Sequence, residues 1–259
     1  MNRFILILGR DFELCFLELI SYMKKNNFNY KILDKYQNLV ILECDKHFNI
    51  NELGGLVKVA EIIQDQDKFF NTLDFNKNKI TYVVNDDDIK NILKKRFKEL
   101  GIKAFYKSEI KSLTTAARID LELIKFKDYL AKVTLVSNPK EYKKRDEVRP
   151  FFDAKKVTSI RLARILINLS QAKYEVLDCF CGSGTILQEA LLLNLNSYGL
   201  DVNIHEAKEN LYWLTNHFKI NKSHKLLQGD SRSLSNYFRR VECCVTEPYL
   251  GPYFKKYPK

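Results

Sequence analysis

Residues 176–190 read Val-Leu-Asp-Cys-Phe-Cys-Gly-Ser-Gly-Thr-Ile-Leu-Gln-Glu-Ala, and this stretch decides the fold. An apolar strand ends at Asp178, a tight turn with two glycines follows, and an apolar helix begins at once. In a doubly wound parallel sheet, a turn of this kind holds a nucleoside-like ligand at the carboxyl edge of the strands. The stretch therefore predicts an α/β, Rossmann-like domain with a ligand site at this turn.

Acidic residues stand at the ends of three later predicted strands. Asp201 ends the strand over residues 198–200, Asp230 follows the strand over 225–228, and Glu247 follows the strand over 241–245. Because the carboxyl ends of parallel strands meet at one edge of a sheet, these acids are expected near the glycine turn. The predicted cofactor-binding residues are Asp178, Cys181, Gly182, Ser183, Gly184, Asp201 and Asp230.

The turn also indicates which ligand it binds. Gly182 and Gly184 let the backbone approach a ligand closely, and Asp201 stands where a carboxylate accepts hydrogen bonds from ribose hydroxyls. No Walker lysine follows Gly184, which argues against a triphosphate. Gln188 lies in the region of the third glycine of dinucleotide-binding turns, so a dehydrogenase is the least favoured alternative. An adenosine without a pyrophosphate fits best, and S-adenosylmethionine is the common ligand of this kind.

Two further segments accompany the glycine turn. The N-terminal strand and helix over residues 4–20 are followed by Leu-Gly-Gly-Leu-Val-Lys-Val-Ala at 53–60. A linker with Arg145-Asp146 and Arg149-Pro150 precedes Arg-Leu-Ala-Arg-Ile-Leu-Ile-Asn-Leu at 161–169. With the turn, these segments resemble the class I methyltransferases and, more closely, the THUMP-containing RNA methyltransferases, especially the tRNA guanine-10 N2-methyltransferase family. The resemblance implies S-adenosylmethionine as cofactor and tRNA as partner.

The resemblance also points to a catalytic motif. Family members carry an Asp-Pro-Pro-Tyr-like motif after the fourth strand, whose acid and a backbone carbonyl accept hydrogen bonds from the target amino group while its aromatic ring stacks on the flipped base. The resemblance implies that Glu247 accepts a hydrogen bond from the target amino group. It also implies that Pro248 fixes the turn and presents its carbonyl, and that Tyr249 supplies the ring that stacks on the base. Tyr249 stands where a second proline is usual and Leu250 where the aromatic residue is usual, so the motif departs from the family pattern by one position.

Three domains are expected. Residues 1–65 read strand, helix, two strands, short helix and strand, the order of a ferredoxin-like fold. Residues 66–145 read as a reduced THUMP-like RNA-binding domain that ends in a hairpin turned at Lys127-Asp128. Residues 146–259 are assigned to the class I methyltransferase domain, and residues 138–156 are predicted to be a charged linker.

The methyltransferase domain is expected to be incomplete. A class I methyltransferase sheet has further strands beyond the fourth, whereas this sequence ends shortly after residues 246–252. The apolar strand over 241–245 would then be a bare sheet edge, which natural proteins avoid. A partner chain or a further C-terminal segment that completes the sheet is expected, and a degenerate protein is the alternative.

Positive charge is concentrated in the middle of the chain. Residues 77–156 hold 21 Lys and Arg against 12 Asp and Glu, an excess of nine out of the formal charge of +11. A localised basic region beside a methyltransferase domain favours binding to an RNA backbone. The predicted RNA-binding residues are Lys94, Lys95, Lys98, Lys103 and Lys107.

The six cysteines show no metal-binding spacing, and no metal is expected. Cys243 and Cys244 are predicted to fill a buried strand, and Cys179 and Cys181 to be small residues of the tight turn. The N-terminal apolar run is too short for a signal sequence or a membrane span. A cytoplasmic protein with reduced thiols is therefore expected.

The leading functional hypothesis is S-adenosylmethionine-dependent N2-methylation of a guanosine in tRNA. A second is N6-methylation of adenine in RNA or DNA, because motifs of this kind serve both bases. A third is a non-catalytic tRNA-binding protein with a vestigial methyltransferase half.

Overall fold

The computed structural model describes residues 1–110, 112–153 and 158–248. The chain forms two compact units, Met1–Lys144 and Arg145–Lys259. The first unit contains both predicted N-terminal segments, and their assignment as separate ferredoxin-like and THUMP-like domains stays a prediction.

The first unit begins with the strand and helix order that the hydrophobic pattern predicts. The helix over 12–25 starts after Asp11, whose carboxylate accepts a hydrogen bond from the Leu14 N–H at 3.2 Å. The helix over 87–99 starts after Asp86, whose carboxylate accepts from the Ile89 N–H at 2.9 Å. The elements are β1 (Asn2–Leu8), α1 (Phe12–Lys25), β2 (Tyr30–Tyr36), β3 (Leu39–Cys44), a 3-10 turn (Ile50–Glu52), β4 (Leu56–Ile62), α2 (Gln66–Thr72), β5 (Lys79–Val84), α3 (Asp87–Glu99), β6 (Lys103–Tyr106), α4 (Leu113–Ala116), β7 (Leu121–Phe126) and β8 (Tyr129–Val136). The next helix, α5 (Pro139–Val148), begins in this unit and ends in the second.

The eight strands of this unit form one continuous sheet in the order β2-β3-β1-β4-β8-β7-β5-β6. Strand β1 is antiparallel to β3 and β4, and β4 is antiparallel to β8. Strand β5 is parallel to β6 and β7. The sheet therefore has two edges, β2 and β6, and its central pairing of β4 with β8 joins the two predicted N-terminal segments.

The Gly-Gly pair of residues 53–60 surrounds a buried carboxylate. Glu18 of α1 is fully buried, and it accepts hydrogen bonds at 2.7 Å from the backbone N–H groups of Gly54 and Gly55. A Cβ atom on Gly55 would lie 2.7 Å from the Cβ of Cys15, so a larger residue would displace α1. The pair thus provides hydrogen-bond donors for both oxygens of a buried carboxyl group, at a close approach of helix and loop.

The second unit is a parallel α/β arrangement, which confirms the predicted Rossmann-like class for this part of the chain. Its described strands run in the order β11-β10-β9, and both strand pairs are parallel. The elements are α6 (Ile160–Ser170), β9 (Glu175–Asp178), α7 (Thr185–Leu192), β10 (Asn196–Asp201), α8 (His205–His217), β11 (His224–Gln228) and a 3-10 turn (Ser231–Asn236).

The predicted fourth strand over 241–245 is reduced to a single β-bridge, Leu177 to Cys244. The segment lies beside β9, because the Leu177 N–H donates to the Cys243 carbonyl at 3.0 Å and the Val245 N–H to the Leu177 carbonyl at 2.8 Å. The pairing does not extend towards the start of β9, because the Glu242 carboxylate accepts hydrogen bonds from the backbone N–H groups there. The Tyr174 N–H donates to it at 2.8 Å and the Glu175 N–H at 2.9 Å. The prediction of a buried cysteine pair was wrong, since Cys243 is half-buried and Cys244 is exposed.

The boundary between the two units, Lys144 to Arg145, lies within the predicted charged linker of residues 138–156, and part of this linker is helical, since α5 occupies Pro139–Val148. This helix has no buried residue and no apolar periodicity, so the sequence carried no signal of a packed face. Within the part of the chain that the structure describes, no helix is both long enough and apolar enough to cross a bilayer.

Candidate cofactor and catalytic site

The glycine turn lies between β9 and α7. Gly182 has φ +48° and Gly184 has φ +81°, left-handed values that residues with a side chain rarely adopt. The Gly184 N–H donates to the Cys181 carbonyl at 2.7 Å and closes the turn. A Cβ atom on Gly182 would meet no atom within 4 Å, so there is open space beside its backbone. The turn therefore offers exposed backbone to a ligand at the start of a helix.

Asp201 is held against this turn. Its Oδ2 accepts from the Gly182 N–H at 2.8 Å, and its Oδ1 accepts from the Asn203 N–H at 3.1 Å. Each carboxylate oxygen has a second lone pair, so Asp201 keeps acceptor capacity for the hydroxyl groups of a ribose. With the open space at Gly182, this arrangement fits an adenosine-bearing cofactor.

Asp178 connects the glycine turn to the segment that carries Glu247. Its side chain is only 2% exposed, and its Oδ1 accepts from the Phe180 N–H at 3.2 Å and from the Thr246 hydroxyl at 2.6 Å. Burial raises the pKa of this carboxyl to about 6. These contacts make Asp178 a residue that fixes the edge of the sheet, and its direct contact with a cofactor stays a prediction.

Asp230 lies at the same edge, but its carboxylate is already paired. The Gly229 N–H donates to the Asp201 carbonyl at 2.9 Å, which places the loop after β11 beside Asp201. The Arg232 guanidinium lies 2.9 Å from the Asp230 carboxylate and lowers the pKa of that carboxyl to about 2. An adenine amino group would have to share this carboxylate with Arg232.

Cys181 and Ser183 contribute backbone atoms to the glycine turn. The Cys181 thiol is buried in a cluster with Leu187 and Leu191, so this residue offers only main-chain atoms to a ligand. The Ser183 carbonyl accepts from the Asn210 side chain at 2.9 Å.

Asn210 is a positioning residue that the sequence analysis missed. Its fully buried amide donates to the Ser183 and Phe151 carbonyls at 2.9 Å, and its Oδ1 accepts from the Phe151 N–H at 2.9 Å. It thus ties the glycine turn to the chain that follows Pro150. The available signal was one polar residue on the buried face of α8, in line with Ala207, Leu211 and Leu214.

A buried charge cluster surrounds α7. Glu189 is 1% exposed, and it contacts Arg145 Nη1 at 2.7 Å and Arg164 Nε at 2.5 Å. Nearby, Arg149 Nη1 donates to the Thr185 hydroxyl at 3.0 Å. Three arginines of the two quoted sequence segments, Arg145, Arg149 and Arg164, therefore bind the helix that follows the glycine turn. The sequence did not predict these contacts.

The described part of the catalytic motif lies at the same sheet edge as Asp178. The half-buried Glu247 carboxylate accepts a hydrogen bond from the Thr158 hydroxyl, and Pro248 is exposed. Tyr249 and Leu250 lie outside the described residues. The structure thus brings Glu247 to the carboxyl edge, while the position of the stacking ring stays a prediction.

The five predicted RNA-binding lysines are exposed but fall into two groups. Lys94, Lys95 and Lys98 lie on α3, whose Leu93 and Phe97 are buried against the sheet. Lys103 and Lys107 stand at the two ends of β6. In the described ranges, no three His, Cys, Asp or Glu side chains gather in a metal-binding cluster.

A parallel sheet with a glycine turn and a carboxylate at its carboxyl edge defines a nucleoside-cofactor-binding α/β protein. A family model described as DNA methylase, of the N6/N4 methyltransferases, matches residues 1–212 of the chain. Because the match covers more than half of the sequence, the chain belongs to this methyltransferase family. Membership implies S-adenosylmethionine as methyl donor, so the predicted cofactor is confirmed.

Two relatives are named tRNA (guanine(10)-N2)-dimethyltransferase. The protein from Pyrococcus abyssi is 32% identical over 117 residues, which cover 43% of this chain and 34% of the relative. The protein from Methanothermobacter thermautotrophicus is 35% identical over 112 residues, which cover 41% of this chain and 31% of the relative. The matched part therefore spans about a third of the length of each relative.

The crystal structure of TrmN from Thermus thermophilus is similar in fold. It superposes with a TM-score of 0.53 at 14% identity and covers 96% of this chain and 80% of that one. This similarity supports the Rossmann-like methyltransferase fold, while the THUMP-like domain and the incomplete sheet stay predictions.

Proposed function

We propose that the chain acts in S-adenosylmethionine-dependent methylation of RNA, with the N2 amino group of a guanosine in tRNA as the target. The observation that carries the proposal is the meeting of two sets of residues at one sheet edge. Asp201 and the Gly182 turn form the part that fits adenosine, and Thr246 links the Glu247 segment to Asp178. The names of the two tRNA methyltransferase relatives support the choice of substrate. A cytoplasmic location is part of this proposal.

The proposed chemistry divides between cofactor and chain. S-adenosylmethionine supplies a methyl group that is bound to a sulfonium sulfur, and an amine can attack the carbon of this methyl group. An exocyclic amine is a poor nucleophile because its lone pair is delocalised into the base. Glu247 and the Pro248 carbonyl would accept hydrogen bonds from this amine and so direct its lone pair towards the methyl carbon. Tyr249 would hold the flipped base by stacking.

The alternative target is the N6 amino group of adenine, which the DNA methylase description of the matching family favours. Incubation with labelled S-adenosylmethionine and bulk tRNA, followed by nucleoside analysis, separates the hypotheses. Methylated guanosine supports the proposal, and methylated adenosine supports the alternative. Binding of tRNA without turnover would support a non-catalytic protein.

Substitution of Asp201 by Ala is expected to weaken S-adenosylmethionine binding by roughly tenfold or more, because two charge-assisted hydrogen bonds to the ribose would be lost. Isothermal titration calorimetry measures this affinity directly. The matched control is Glu206→Ala, which removes an exposed carboxylate from the first turn of α8 and should leave the affinity unchanged. Equal affinity in a folded Asp201→Ala variant would remove Asp201 from the site.

Binding to tRNA is expected to weaken steeply as salt rises, because lysines of residues 66–156 would displace counterions from the phosphates. Replacement of Lys94, Lys95 and Lys98 by Glu should lower both the affinity and the slope of log K against log salt. Filter binding at several salt concentrations gives both quantities.

The control for charge reversal is the same change at Lys219 and Lys225, which are exposed residues of the second unit. These variants are expected to keep most of the wild-type slope. A salt-independent affinity, or an equal effect of both sets of substitutions, would contradict the assignment of RNA binding to the basic middle of the chain.

A further inference from the structure

Strand β6 presents different residues on its two faces. Tyr106 lies on the face that α3 covers, since its ring is 4.6 Å from the Lys90 ammonium of α3 and 5.5 Å from the ring of Tyr82. Side chains alternate along a strand, so Lys103 and Phe105 lie on the opposite face. Both are exposed. The outer edge of the sheet therefore carries an aromatic ring on the face that α3 does not cover.

Lysines surround this ring. The Lys103 ammonium lies 5.5 Å from the centre of the Phe105 ring, and the ring itself is 47% exposed. In the parallel pairing of β5 with β6, Lys79 is opposite Lys103 and Thr81 is opposite Phe105, which puts a second lysine on the same face. Lys107 follows the strand, and its N–H is bonded to the Tyr82 carbonyl at 2.9 Å.

We propose that Phe105 stacks on an unpaired RNA base while Lys79, Lys103 and Lys107 contact the phosphates on either side. An open sheet face with an exposed ring among cations suits single-stranded nucleic acid, because every base has a π-face and every linkage has a charge. A second copy of the chain fits this edge poorly, since the lysines would face like charges. The proposal rests on the RNA-binding part of the proposed function.

This surface differs from the one that Lys94, Lys95 and Lys98 form. Those lysines lie on α3, which covers the Tyr106 face, whereas the Phe105 surface is on the other face of the same sheet. The two groups are therefore expected to contribute separately. The helix would supply charge alone, and β6 would supply charge together with stacking.

The test compares two probes that carry the same phosphates. One is a fluorescein-labelled oligoadenylate of about eight nucleotides, and the other is an abasic strand of equal length. The full chain is titrated against each by fluorescence anisotropy. We expect Phe105→Ala to weaken binding to the oligoadenylate by roughly 5- to 150-fold and to leave binding to the abasic strand and the salt slope unchanged. We expect Phe105→Trp to restore affinity and Phe105→Leu, which keeps apolar bulk without a ring, to resemble Phe105→Ala.

Two controls complete the design. Tyr36→Ala removes a 52% exposed ring from β2, the other edge of the sheet, and should not alter binding. Lys103→Ala should weaken binding to both probes and reduce the slope of log K against log salt by about one.

A wild-type chain that binds neither probe nor tRNA would overturn the RNA-binding function and this inference with it. A wild-type chain that binds both probes equally, or a Phe105→Ala variant that binds oligoadenylate as tightly as wild type, would overturn the stacking role alone. The stacking role would also be overturned if sedimentation showed that Phe105→Ala disrupts a dimer of the chain and the substitution had no other effect.

Discussion

A Glu247→Gln variant is expected to lose methyl transfer by roughly 10²–10³-fold while its affinity for S-adenosylmethionine stays nearly unchanged. The substitution keeps the shape of the side chain but puts an N–H donor where the target amine needs an acceptor. The hydrogen bond from the Thr158 hydroxyl can persist on the remaining carbonyl oxygen, so the segment should keep its position. Single-turnover transfer to tRNA, with cofactor binding measured in parallel, separates the chemical step from binding.

The matched control for this variant is Glu206→Gln, an identical change on an exposed turn of α8. It should transfer methyl groups at the wild-type rate. Full activity in the Glu247→Gln variant would show that the Glu247 carboxylate is not the acceptor. A parallel loss of cofactor affinity would instead show that Glu247 supports the cofactor site.

A Glu189→Gln variant is expected to lower the free energy of unfolding by about 3–5 kcal/mol. The buried carboxylate contacts the guanidinium groups of Arg145 and Arg164, and the amide would leave both without this negative partner. This loss is a large fraction of a domain's net stability, which is typically about 5–15 kcal/mol. Unfolding in urea, monitored by circular dichroism, measures the change in the free energy of unfolding.

A double-mutant cycle tests whether charge is the cause. Glu189→Met combined with Arg164→Met removes one charge of each sign, so it should cost less than the sum of the two single substitutions. Glu206→Gln, an exposed control, should alter stability by less than about 0.5 kcal/mol. A Glu189→Gln variant within about 1 kcal/mol of wild type, or strictly additive effects in the cycle, would contradict the ion-pair explanation.

Local chemistry in the sequence was sufficient to predict many of the elements. The hairpin predicted to turn at Lys127-Asp128 is formed by β7 and β8, because apolar alternation and a two-residue turn fix it within a few residues. Helix α1 follows the first strand as predicted, because Asp11 caps its start and its apolar residues recur at helical spacing. The glycine turn was predictable for the same reason, because two positions with left-handed φ values favour glycine whatever the distant surroundings.

Sequence reasoning was weaker where side chains compete for partners. Asp230 is predicted to bind the cofactor, and the sequence pattern did not indicate that Arg232, two residues later, pairs with its carboxylate. The segment over 241–245 has the apolar residues of a strand, yet Glu242 binds backbone N–H groups at the start of β9 and only one bridge forms. In both cases a charged side chain forms a hydrogen bond that the strand pattern of the sequence does not show.

The sequence by itself determined the β–turn–α unit at Asp178 and the acids that follow later strands, because strand ends, glycine turns and acid spacing are local properties. Only the tertiary structure decided how the elements meet. It joined β4 to β8 in one eight-stranded sheet, placed Asn210 between the glycine turn and Phe151, and left Phe105 on the face that α3 does not cover. These arrangements depend on pairings between residues far apart in the chain, and their free energy comes from burial and hydrogen bonds that no short segment contains.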